Sequence, residues 1–66
     1  MAKNFDPEDI RLIGSLYGIN IYGNFDEPIQ LDPGYTLVEC IERWCDANNA
    51  SARVGANGIY IMVRHD

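Results

Sequence analysis

Three side chains in this sequence are suited to nucleophilic or acid–base chemistry near neutral pH: Cys40, Cys45 and the single histidine, His65. His65 stands one residue from the C-terminus, where chains fray, so it reads as a solvated tail residue rather than a held general base. Trp44 beside Cys45 implies burial, which raises a thiol's pKa and makes it inert. Cys40 falls at the border of an apolar arc and reads first as structural filler. A structural zinc site wants four Cys or His ligands, and the chain has three such residues in all. Asp26, Glu27 and Asp32 match no calcium-loop spacing, and Pro28 interrupts them, so they read as turn carboxylates. The six glycines are scattered and form no phosphate cradle. The expectation is a chain with no catalytic residue, no metal and no cofactor.

What stands out instead is charge. Nine of the ten acids lie between Asp6 and Asp46, where only Arg11 and Arg43 oppose them, a net of −7 in a chain of −5 overall. Such a skew repels nucleic acid and acidic membranes and attracts basic surfaces. Sixty-six residues make one domain, 1–66, with a thin core. An apolar fraction of 47% is that of a folded protein, and no run approaches the roughly 18 apolar residues of a membrane span. The N-terminal residues lack the apolar segment of a secretory signal. Cys40 and Cys45 would point about 140° apart on a helix, with Cα atoms roughly 8 Å apart, beyond disulfide reach. Reduced thiols and the missing signal point to the cytoplasm.

Asp6-Pro7-Glu8-Asp9 is a helix start, with Asp6 as N-cap, Pro7 at the first position and acids at the positive end of the dipole. Ile10, Ile13, Leu16 and Tyr17 recur on one face, and Gly18 stops the helix. Ile19–Tyr22 alternates like a strand. Residues 25–33 are the least legible: Ile29-Gln30-Leu31 fits a short edge strand, but Pro28 argues against it. Thr36-Leu37-Val38-Glu39 matches a capping box opening a helix to Ala47 or Asn48. That helix places Leu37, Val38, Ile41, Trp44 and Cys45 in one arc and Glu39, Glu42, Arg43 and Asp46 opposite. Ser51–Ala56 and Ile59–Arg64 flank Asn57-Gly58, a strong hairpin signal, with Ala52, Val54 and Ala56 facing inward. The order is α-β-α-β-β. The fold class is α+β, two helices on one face of a mostly antiparallel sheet ending in the Asn-Gly hairpin.

Helix, helix, hairpin invites comparison with a winged helix. The second helix, however, offers three carboxylates against one arginine, so phosphate repulsion argues against direct nucleic-acid binding. Binding to protein remains. Asp26, Glu27, Asp32, Tyr35, Glu39, Glu42 and Asp46 would form an acidic, aromatic-edged surface offering arginine both carboxylates and ring faces. The plain alternative is a solvated helix face. Tyr60 and Met62, on the sheet's outer side, are the candidate contacts of a homodimer, which would supply core that a short chain lacks. No stretch matches a family motif. In composition the chain resembles the small acidic inhibitors encoded by phages, such as anti-CRISPR proteins and DNA mimics. This resemblance implies a non-enzymatic inhibitor docked on a basic, nucleic-acid-binding surface. The alternative is an assembly subunit that self-associates through its hairpin.

Overall fold

The computed structural model describes residues 2–64, so His65 lies outside the described residues. Seven elements follow in order: β1 (Lys3–Phe5), α1 (Pro7–Leu16), β2 (Ile21–Gly23), β3 (Ile29–Leu31), α2 (Leu37–Ala47), β4 (Ala50–Gly55) and β5 (Gly58–Val63). The class is α+β, and the expected order of two helices, one strand between them and a terminal hairpin is present. Two short strands extend it. β3 forms despite Pro28 because it pairs antiparallel with β1, Lys3 opposite Leu31 and Phe5 opposite Ile29. Pro28 itself precedes the strand, where its missing N–H costs no ladder bond.

The second sheet has the order β2-β5-β4, with β5 central, parallel to β2 and antiparallel to β4. Period-two alternation sends Ile59 and Ile61 of β5 to one face and Tyr60 and Met62 to the other. Ile10, Ile29, Ile41, Ile59 and Ile61 are all but fully buried, so both helices and both sheets each give at least one isoleucine to a single core. Trp44, Phe25, Cys45 and Ile21 complete it. Both helices therefore cover the Ile59 and Ile61 face, leaving Tyr22, Tyr60 and Met62 about half exposed on the other.

Two local expectations need correction. The hairpin turns at Ala56-Asn57, one residue earlier than Asn57-Gly58, because Gly55 pairs with Gly58. Gly58 supplies the positive φ of 138° at which the chain re-enters the sheet, and its neighbour Ile59 donates its N–H to the Asn20 carbonyl at 2.8 Å. Ala56 consequently sits exposed in the turn and does not face inward. In α1, Leu16 and Tyr17 are exposed (80% and 73%), not packed with Ile10. The helix meets β2 through Gly14: a Cβ there would stand 2.6 Å from the Ile19 carbonyl oxygen and 2.7 Å from Ile21. Contact through a glycine ends the buried face a turn earlier than apolar spacing predicts.

The second helix follows its reading closely. Thr36 Oγ1 accepts from the Glu39 N–H at 3.2 Å while Glu39 Oε1 accepts from the Thr36 N–H at 3.2 Å and its hydroxyl at 3.0 Å. The helix ends at Asn48, and Asn49 takes the left-handed conformation (φ 53°) that favours asparagine after a C-cap. At the start of α1, Asp6 occupies the N-cap position, but its side chain makes no capping bond.

Candidate functional site

The acid-bearing segments are held by α2. Trp44 donates its indole N–H to the Pro28 carbonyl at 2.9 Å, and Phe25 meets the indole edge-on, with centroids 6.3 Å apart. These two contacts fasten both ends of the segment that carries Asp26 and Glu27, whose own side chains are exposed. Further along, the Asp32 carboxylate accepts from the Gly34 N–H at 2.9 Å, closing an Asx turn. The Asp32 backbone brackets the Cys40 thiol, its N–H 3.4 Å and its carbonyl 3.7 Å from Sγ. Asp32 is thus half-buried and occupied, and the exposed Glu39 carboxylate is occupied by the capping box.

The cations of this region lie on rings. The Arg43 guanidinium stands 4.2 Å from the Tyr35 ring centroid, and Arg11 stands 4.7 Å from that of Phe25 while donating to the Gly23 carbonyl. Among the described residues, no carboxylate is held in an ion pair with either arginine. Asp26, Glu27, Glu42 and Asp46 are exposed, and none is the partner of a cation there. Of the seven residues expected to form the surface, Asp32, Tyr35 and Glu39 cluster at the entry to α2 with structural duties of their own. Four acids remain available for a partner.

Sequence reasoning missed the small depression of about 280 Å³ beside α2, lined by Gln30, Asp32, Tyr35, Cys40 and Arg43. Its only foreshadowing was the Asp32-Pro33-Gly34 turn, which carries the chain back over Cys40. Arg43 and Tyr35 both line it, the guanidinium stacked on the ring. Neither thiol forms a disulfide, and both are buried. Burial, and then the neighbouring charges of Asp46 and Glu42, push the Cys45 thiol above its ordinary value of 9.0. At neutral pH that thiol is protonated and a poor nucleophile.

Among the described residues, no three His, Cys, Asp or Glu side chains converge as metal ligands. No helix there is long and apolar enough to cross a membrane. Tyr60 and Met62 lie where the alternation placed them, exposed on the open face, with Tyr22 directly opposite Tyr60. Comparison with protein-family models, with characterised proteins and with solved structures finds no match.

Proposed function

We propose that this chain is a non-enzymatic protein-binding module, a small acidic inhibitor of the phage type (anti-CRISPR-like or DNA-mimic-like), which docks on a basic, nucleic-acid-binding surface of its partner in the cytoplasm. One observation carries the reading. Asp26, Glu27, Glu42 and Asp46 stay exposed and unpaired among the described residues, while the two arginines of the same segment are spent on Phe25 and Tyr35. Charge left uncompensated and presented by a fixed helix and a pinned loop suits steering toward a cationic partner.

The test is affinity capture with the chain as bait at low and high salt, because such contacts are screened. Glu42→Lys with Asp46→Lys should abolish capture while the fold persists. Glu39 is left out of the variant because it caps α2. Capture that survives both the variant and high salt would remove this reading.

A second reading has one specific observation behind it. Tyr22, Tyr60 and Met62 form a half-exposed apolar strip across two paired strands of the open face, which suits self-association of an assembly subunit. Sedimentation at rising concentration tests it: a dimer lost in Tyr60→Glu with Met62→Glu supports it, and a monomer throughout dismisses it.

A further inference from the structure

We infer that the free edge of β4 is a docking line for an extended basic segment of the partner, which adds to the sheet as a further strand beneath the Glu42 side of α2. The inference rests on the acidic reading above and says how the partner engages it.

The edge follows from hydrogen-bond parity. In the β4–β5 ladder the outermost pair Gly55–Gly58 closes the two-residue turn, and at the other end Arg64 donates to the Asn49 carbonyl at 3.1 Å. Bonded pairs therefore fall at alternate residues, and Ser51 and Arg53 are the bonded ones between them. The intervening β5 residues turn the other way: Ile59 donates to the Asn20 carbonyl at 2.8 Å and Val63 to Asn24 Oδ1 at 2.9 Å. Their partners Val54 and Ala50, and Ala52 between them, thus aim N–H and C=O away from the sheet. Among the described residues nothing bonds to those groups. β4 ends the strand order, and it carries no proline, lysine or inward charge to block an incoming strand. Val54, on the inward side of the pleat, is still 62% exposed, as a residue lacking a lateral neighbour would be.

The helix above supplies the selectivity. Val38 shares a hollow of about 120 Å³ with Val54 and Gly55, whereas Cys40 and Arg43 look toward Gln30 and Asp32. The Val38 side of α2 therefore overlooks β4, and Glu42 lies on it one turn further on. Four helical residues advance about 6 Å and two strand residues about 6.6 Å, so the levels match as the chains run antiparallel. Val38 lies beside Val54, and the matched rise assigns Glu42 to the level of Ala52 and Asp46, turned further outward, to that of Ala50.

An added antiparallel strand would meet, on its helix side, an apolar contact and then two carboxylates. On its open side it would meet Arg53 and Ser51. Its pattern is apolar, acidic, basic, neutral, basic. A second copy is the poorer occupant, since it would set Glu42 against its own image between two chains of net charge −5. Main-chain pairing gives such a strand its affinity and the alternate side chains its specificity.

The probe is a short fluorescein-labelled peptide containing Val-Glu-Lys-Thr-Lys, followed by anisotropy at low salt against a control with Glu for each Lys. Saturable binding of the basic peptide alone is expected. A synthetic chain methylated at the Ala52 backbone nitrogen should fold with unchanged circular dichroism, since that N–H points outward, and should bind roughly tenfold or more weakly. Ala52→Pro gives the same loss in a recombinant chain, and Glu42→Lys should also lose the peptide. If Glu42→Lys weakens binding and backbone methylation does not, the edge is overturned and the acidic reading stands. If neither matters, both fall. If the basic peptide does not bind although salt-sensitive capture of a protein partner persists, the strand mode is wrong. A dimer in sedimentation that disappears on methylation would assign the edge to a second copy and overturn the stated occupant.

Discussion

Trp44→Phe probes the link between core and acid-bearing loop most directly. The replacement keeps an aromatic ring against Phe25 but deletes the indole N–H that reaches the Pro28 carbonyl at 2.9 Å. Losing that bond removes about 1 kcal/mol and leaves a carbonyl short of its donor. The smaller ring gives up roughly 40 Å² of buried apolar area, about 1 kcal/mol more at ~25 cal/mol per Å². The expected loss is about 2 kcal/mol. A domain of this length has only some 3–10 kcal/mol to lose, so the melting temperature should fall by roughly 8–16 °C. Urea titration followed by far-ultraviolet circular dichroism measures it, since the tryptophan signal is gone. Amide exchange in residues 24–27 should quicken beyond the global change, because the loop loses its anchor while the helix keeps its own bonds. A loss below about 0.5 kcal/mol with unchanged exchange would show that the Trp44–Pro28 contact does not fasten the loop.

Thr36→Ala removes the hydroxyl half of the capping box, leaving only the Thr36 backbone N–H bond to Glu39, and should cost about 1 kcal/mol by urea titration, with Thr36→Ser restoring most of it. Gly58→Ala combines a positive φ of 138° with a Cβ driven into the Asn20 carbonyl, so it should cost about 3 kcal/mol, seen as a lowered urea midpoint. The raised Cys45 thiol binds its proton more tightly folded than unfolded. Its contribution is complete below the unfolded value and is lost as pH rises through the folded one. Wild type should therefore lose stability as pH rises above the ordinary thiol value of 9.0 faster than Cys45→Ala does, and equal slopes in paired urea titrations would refute this. Native Cys45 should also resist alkylation at neutral pH, with the label appearing at that position only in urea.

How far the sequence carries depends on the range of each interaction. The second helix was readable because its cap, arc and end are all local: Thr36 and Glu39 satisfy each other, and Asn48-Asn49 terminates the run. The first strand was not, because Lys3-Asn4-Phe5 is too short for any period and exists through pairing with Ile29–Leu31 across the chain. The same pairing rescues β3 from the objection raised by Pro28. At α1, apolar spacing misled because the contact runs through Gly14, which has no side chain to announce it. The hairpin slipped by one residue because Asn57-Gly58 marks a turn without saying which pair closes it, and Gly55 opposite Gly58 settles that.

The candidate surface divides along the same line. Exposure of Asp26, Glu27, Glu42 and Asp46 was legible from composition and helical phase. The occupation of Asp32 by Gly34 and Cys40, and of Arg43 by Tyr35, depends on a turn folding back over the helix. No spacing rule reports such a contact. Those tertiary contacts change which residues a test should alter: Glu42 and Asp46 can be reversed without touching a cap, and Glu39 cannot.

The central claim is that uncompensated charge on α2 captures a basic partner. Its most direct test is the dissociation constant for the captured partner, measured for wild type and for Glu42→Lys with Asp46→Lys across a salt series. The prediction is affinity that falls steadily with salt in the wild type, competition by DNA for the same partner, and no measurable binding by the variant. Equal affinity for both chains, indifferent to salt and to DNA, would contradict it.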